Sequence, residues 1–326
     1  MKSDESFSYD GYLVFNEILS FSETESIDSL LSKCPLFEDL VNVEESPVGI
    51  TKQPFTEYYP APDIHPNSYE HDLLEEVTEV KVRNETFEKV TGLNDEGEIQ
   101  ELAVRSVEST DSYWVHPNFV LIRGSKSESS RAKNNFQEWT GKHNSFKSLD
   151  FDSDFLLWLF YNACHDGSIS GNFKIDTLTD AKITGGKSTD FGEMNRASES
   201  EDITRSTQVL LSILTVQGEL TMLGGMFNYN NNYISADISE NGRIHIKANS
   251  GDIKTFSDLR RVLISVDFVR ELAFIYEYWE GLQPNERYPP LEFFEDLKDR
   301  ISEPGTEFEL SLDPVIEKYR EKRNQQ

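Results

Sequence analysis

Residues 181–188 read AKITGGKS. Ala181, Gly186, Lys187 and Ser188 match the relaxed phosphate-loop pattern: a small residue, four of any type, then Gly-Lys-Ser/Thr. That chemistry needs a buried strand leading in and a helix leading out. Only then do backbone N–H groups converge on the phosphate oxygens while the lysine neutralises them. The lead-in FKIDTLTDAK is half apolar, and the lead-out STDFGEMNRASESED carries one Phe and one Met in fifteen residues. No amphipathic helix begins there. The flanks therefore predict a polar loop from Thr184 to Thr204 rather than an NTPase, and Lys187 stays only as an alternative catalytic residue. The adjoining IDTLTDAK offers a second alternative. Asp176 and Asp180 could hold Mg²⁺ and Lys182 could orient a water, as in a metal-dependent nuclease.

Other reactive patterns are thinner. DFDSD (150–154) starts like a calcium loop, but Phe155 stands where the turn glycine belongs and Tyr161 where the bidentate glutamate belongs. It reads instead as an acidic helix N-terminus. The six histidines (65, 71, 116, 143, 165 and 245) show neither HExxH nor paired helical spacing. Cys34 and Cys164 make no metal or redox spacing, and both are expected to be buried free thiols. No GxSxG elbow occurs. These patterns call for no cofactor and no metal, and they lean away from an enzyme while leaving a nuclease or NTPase as an alternative.

Charge supplies the stronger lead. The 326 residues carry a net charge of −28. Such self-repulsion favours solubility and suits a salt-rich cytoplasm, where counter-ions screen an acidic surface. A DNA mimic is disfavoured because the acids are spread along the chain. The distribution is uneven. Residues 1–122 are net −19 and residues 148–326 net −13, while residues 123–147 are net +4. This basic island, within IRGSKSESSRAKNNFQEWTGKHNSFK (122–147), holds Arg123, Lys126, Arg131, Lys133, Lys142, His143 and Lys147, with Phe136, Trp139 and Phe146 among them. Cations for phosphates and rings for bases are the ingredients of single-strand nucleic-acid binding. The opposing expectation is a loop whose cations pair with neighbouring acids. A second patch follows at RIHIK (243–247). Ile244 and Ile246 face one way along the strand, so Arg243, His245 and Lys247 face the other. Cross-strand pairing with Asp237 or Glu240 would neutralise it.

The elements that must position these residues are α+β: antiparallel sheets with segregated helices, and no Rossmann or barrel signal. We expect an acidic N-terminal domain (1–122), a basic connecting segment (123–149) and a C-terminal domain (150–326). In the first, YLVFNEIL (12–19) is a strand, SETE (22–25) a capping box before a short helix, and proline-rich 47–66 an irregular surface segment. Residues 77–91 and 98–108 form strands around NDEG, and 113–124 a strand interrupted at Pro117. In the last, 150–167 is an apolar helix and 207–249 an antiparallel meander that begins with TQVLLSILTV as a strand. Asn241-Gly242 is its type I′ turn. Ser257 caps a helix of about 25 residues whose apolar positions keep a three-four spacing. Further helices start at Pro289-Pro290 and Asp313-Pro314. No stretch reaches 18 apolar residues, so no membrane span is expected, and the acidic N-terminus lacks a signal core, which points to the cytoplasm. The expected function is a non-enzymatic binding protein contacting nucleic acid through the island and the RIHIK face. The alternatives are a protein–protein or regulatory component, and a Mg²⁺-dependent nuclease or NTPase.

Overall fold

A computed structural model describes residues 7–9, 12–21, 26–38, 47–93, 97–141, 146–184, 197–198, 202–215, 218–301 and 311–324. The chain divides into two compact units. Both are mixtures of helix and antiparallel strands; the sheet does not close into a barrel, and the helices lie outside it. Among the described residues, no helix is long and apolar enough to cross a membrane.

The first unit comprises Met1–Tyr9, Val14–Ser148 and Ser257–Val266. Its elements are β1 (Leu13–Ser20), α1 (Ile27–Leu31), β2 (Val48–Pro54), α2 (Tyr69–Glu76), β3 (Val77–Leu93), β4 (Ile99–Val115), β5 (Phe119–Arg123), α3 (Lys126–Trp139) and β6 (Lys147–Ser148). The strand order is β2-β3-β4-β5-β1, with β6 also on β1. Alternation sorts the side chains. On one face Ile50, Val80, Val82, Trp114, Val120 and Ile122 meet Leu30 and Leu31 of α1 and Ala132 and Phe136 of α3. Trp114 and Phe136 pack edge to face at 5.1 Å, the geometry their ring quadrupoles favour. The other face carries Phe15 and Tyr113 among charged groups, with Phe55 stacked on Tyr113 at 6.0 Å.

Two expectations for this unit are corrected. The segment 47–66 is not irregular: β2 pairs with β3 from Val48↔Asn84 to Pro54↔Thr78, and a 3₁₀ turn follows at Phe55–Tyr58. Prolines only bracket this strand, which lies at the sheet edge, where a missing N–H costs no ladder bond. The basic segment 123–149 is not a simple connection, since most of it is α3. Ser125 and Glu128 form a reciprocal capping box there, satisfying two N-terminal donors. The capping box expected at 22–25 and most of the turn at 94–97 lie outside the described residues. The short helix itself is capped by Ser26.

The second unit comprises Asp10–Leu13, Leu149–Phe256 and Asp267–Gln326. It contains α4 (Ser153–Ala163), β7 (Phe173–Thr184), β8 (Ala197–Ser198), α5 (Thr207–Ile213), β9 (Glu219–Tyr229), β10 (Asn232–Ser239) and β11 (Ile244–Ile246). Most of α6 (Asp258–Gly281), with α7 (Pro284–Arg287), α8 (Leu291–Ile301) and α9 (Asp313–Arg323), completes it. The order is β11-β10-β9-β7-β8. Phe155 through Phe160 of α4 are all buried, as an all-round apolar helix must be. Phe155 lies 5.4 Å from Trp279, and Phe173 of β7 stacks on Phe268 of α6 at 5.4 Å.

Here the expected first strand of the meander is the helix α5. Val209, Leu210 and Ile213 are its buried residues, followed by the buried C-cap Leu214, and their three-four spacing outweighs the β-branched composition. The type I′ turn is also elsewhere. Asn230 and Asn231 both have positive φ (47° and 62°) and join Tyr229 to its partner Asn232, a two-residue hairpin. At the Asn241-Gly242 turn only Gly242 is left-handed, with φ of 71°. A Cβ at Gly242 would also run into the Leu149 carbonyl oxygen. Gly242→Ala is therefore expected to lower stability by about 1–3 kcal/mol. Thermal unfolding reads this out, and an unchanged Tm would mean that the turn relaxes without strain.

Candidate functional site

The cations expected to meet nucleic acid are mostly engaged by the protein's own carboxylates. Arg123 ends β5 and is 7% exposed. Its guanidinium pairs with Asp111, donates to the Tyr113 hydroxyl at 3.1 Å and lies over the Tyr9 ring at 5.5 Å. Strand register dictates the pairing, because Asp111 is the direct partner of Arg123 across β4 and β5. Arg131 of α3 pairs with Glu108. Lys133 lies 3.2 Å from Glu17 of β1 and donates to Ser148 at 2.6 Å. Lys126 and Lys147 are exposed. Lys142 and His143 lie outside the described residues. The rings of the island are turned to the core: Phe136 and Phe146 are buried, and Trp139 is half-buried against the same cluster. Helical spacing places Phe136 and Trp139 there, on the side of α3 opposite its charges.

The RIHIK face keeps the expected alternation, with Ile244 and Ile246 buried. Arg243 is exposed. Across the unit 2 sheet, Asp180, Gly224, Asp237 and His245 form one register row. The Lys247 ammonium lies 2.8 Å from Asp237 and 3.9 Å from Asp180. Gly224 makes this convergence possible, since a Cβ there would collide with Asp237 Oδ1 and with the Asp180 side chain. His245 lies 3.8 Å from Asp237. Burial pushes its pKa below the ordinary histidine value, against the pull of Asp237 and with the help of Arg243 and Lys247. The row thus joins two aspartates to one permanent cation, which is the cross-strand neutralisation weighed from the sequence.

The catalytic alternatives gain little support. Asp180 is buried and engaged by Lys247, while Asp176 and Lys182 are exposed. Lys187 and most of the loop from Thr184 to Thr204 lie outside the described residues. Among the described residues, no three His, Cys, Asp or Glu side chains gather as metal ligands. Asp152 of the DFDSD segment caps α4, accepting from the Phe155 N–H at 2.8 Å. Both cysteines are free thiols. Cys164 lies in a polar concavity with His165, Asp202 and Arg300. Burial raises its pKa to about 11, which argues against a reactive thiolate.

The most unusual element is the pair of strands expected around NDEG, which are far longer than typical strands. β3 and β4 are 17 residues each and pair continuously from Val77↔Val115 to Leu93↔Ile99. β2 accompanies β3 only to Asn84, and β5 accompanies β4 only to Asp111. Beyond those points, no other strand among the described residues pairs with the hairpin. Its distal residues are exposed whichever way they point: Val90, Leu93 (67%), Ile99 (77%), Val104 and Val107. At the base, buried Glu85 is held by Arg105 across the ribbon. A signal for this arm exists in the sequence. The apolar positions lose their alternation after residue 85, and a typical strand has only about 5–6 residues.

No protein-family model matches the chain, and a comparison with curated proteins finds none that matches it.

Proposed function

We propose that this protein is a non-enzymatic binding component of a protein complex, and that its contact element is the β3–β4 arm. The observation that carries the reading is a two-stranded ribbon of about nine residue pairs with apolar side chains exposed on both faces. Nine residues of strand extend about 30 Å. A free two-stranded hairpin is marginal in water, and removing apolar area from water yields about 25 cal/mol per Å². A partner that covers Val90, Leu93, Ile99 and Val104 would therefore both stabilise the arm and gain affinity. The engagement of Arg123, Arg131, Lys133 and Lys247 by carboxylates makes a phosphate backbone the less favoured partner.

The test excises Lys89 to Ala103 and joins Glu88 to Val104 through Asn-Gly, the dipeptide suited to a two-residue hairpin. Affinity capture from native lysate is compared for the full and shortened proteins. We expect the thermal transition to be unchanged and the proteins retained by the full chain to be lost from the shortened one. Retention of the same proteins by both forms would refute the reading. Binding of a labelled oligonucleotide by both forms, weakening with salt and abolished by charge reversal at Arg131 and Lys133, would establish the nucleic-acid reading instead.

A further inference from the structure

We infer that the occupant of the arm is an extended, basic segment of a partner protein, added as a strand along the outer edge of β3 between Thr86 and Leu93. This rests on the arm being the contact element. The first observation is the edge itself. β2 leaves β3 at Asn84, and the Glu85 N–H is taken by the Pro47 carbonyl at 3.0 Å. From Thr86 onward no described strand lies on that side. The other edge of the ribbon is less open, because Glu108 of β4 is held by Arg131 of α3.

The second observation is what the edge lacks. Proteins usually blunt exposed edges with proline, bulges, short length or a row of charges. Here the register runs without a shift from Val77 to Leu93, and no proline interrupts it. The outer strand presents one lysine, Lys89, beside exposed Val90 and Leu93. An edge of this length that no described strand covers is a template for strand addition, in which main-chain hydrogen bonds supply affinity and alternate side chains supply specificity.

The third observation is charge. Residues 86–108 contain six carboxylates and two cations. One of those cations, Arg105, is engaged by buried Glu85. At physiological salt the screening length is about 8 Å, so the local balance decides the encounter. An acidic segment, or the same arm of a second copy, meets repulsion. A segment carrying Lys or Arg meets exposed Glu88 and Glu101. Strand geometry adds a spacing rule. Glu88 and Val90 lie on one face two residues apart. An antiparallel neighbour therefore presents a cation and an aliphatic residue, also two apart, to that face.

The probe is a synthetic peptide, Thr-Lys-Thr-Val-Thr-Lys-Thr-Val-Thr, with a second version carrying Glu for Lys and a third carrying Ser for Val. Binding to the full chain is followed by fluorescence anisotropy, and the site by amide hydrogen exchange. The basic peptide is expected to bind at least tenfold more tightly than either control. Amides of residues 86–93 should gain protection while those of 101–109 do not. Glu88→Lys with Glu101→Lys should reverse the preference between the lysine and glutamate peptides without moving the thermal transition. Equal binding of the three peptides, or protection elsewhere, overturns the inference while leaving the arm as contact element intact. Protection of 86–93 that appears with rising protein concentration and no peptide identifies a second copy as the occupant, and also overturns it. Failure of the broader reading looks different: the shortened protein then keeps the full chain's partners.

Discussion

Arg123→Ala is expected to destabilise the first unit by about 3–5 kcal/mol, whereas Lys126→Ala, three residues on, should change stability by less than about 0.5 kcal/mol. Both side chains belong to the basic island, but only Arg123 is buried. Its guanidinium neutralises Asp111, donates to Tyr113 and covers the Tyr9 ring. Without it, the cation that remains beside Asp111 among the described residues is the more distant Lys81, at 3.9 Å, and buried Glu79 loses a nearby positive charge. An unpaired charge in a low-dielectric setting is far costlier than a lost surface contact. Arg123→Lys should fall between the two, since it keeps the charge but not the planar fork. Urea denaturation of the three variants checks this order. Equal, small effects for Arg123→Ala and Lys126→Ala would return Arg123 to the list of available surface cations.

The second large effect concerns Glu79, which is 1% exposed, opposite Tyr113 in the β3–β4 register and near Lys81, Asp111 and Arg123. Burial raises its pKa from the ordinary 4.5 to about 7, opposed by Lys81 and Arg123 and reinforced by Asp111. The folded state thus holds a proton that the unfolded state releases. Stability is greatest below the unfolded pKa and is lost as pH rises from about 4.5 through about 7, amounting to about 3 kcal/mol at pH 8. Glu79→Gln mimics the protonated form. It should match the natural protein at pH 5 and exceed it by a few kcal/mol at pH 8.

Asp267, buried in the second unit against Tyr229 and Arg270 and raised by burial to about 6, acts with the same sign. His245 is lowered and acts oppositely on the acid side. Asp63, Glu70 and Glu128 are lowered and titrate below this window. The difference between variant and natural protein cancels all of these. A variant that is no more stable at pH 8 than the natural protein would show that the buried carboxyl is accommodated in its charged form.

Much of the local architecture could be read from neighbouring residues. The Ser257 cap and the three-four spacing after it fall on α6, where the Arg260 N–H donates to the Ser257 hydroxyl at 3.3 Å. The apolar run at 155–160 is the buried body of α4, and Ile244 and Ile246 turn inward as strand alternation requires. These features depend on residues within one or two turns of each other, so a short window contains the physics. Even there, local signals compete, as at α5, where β-branched composition masks helical spacing.

The fate of the cations was not legible, because it is set by pairing between distant segments. Lys133 finds Glu17 across 116 positions, and Arg123 finds Asp111 only through the β4–β5 register. Net charge counts such groups but does not say which ones face each other. The arm belongs to the same class. Its residues look like ordinary strand, and what makes them exposed is where β2 and β5 end, a property of other parts of the chain. Periodicity and capping act over a few residues and leave a local record. Neutralisation and exposure are relations between segments, and they exist only once the strands are in register.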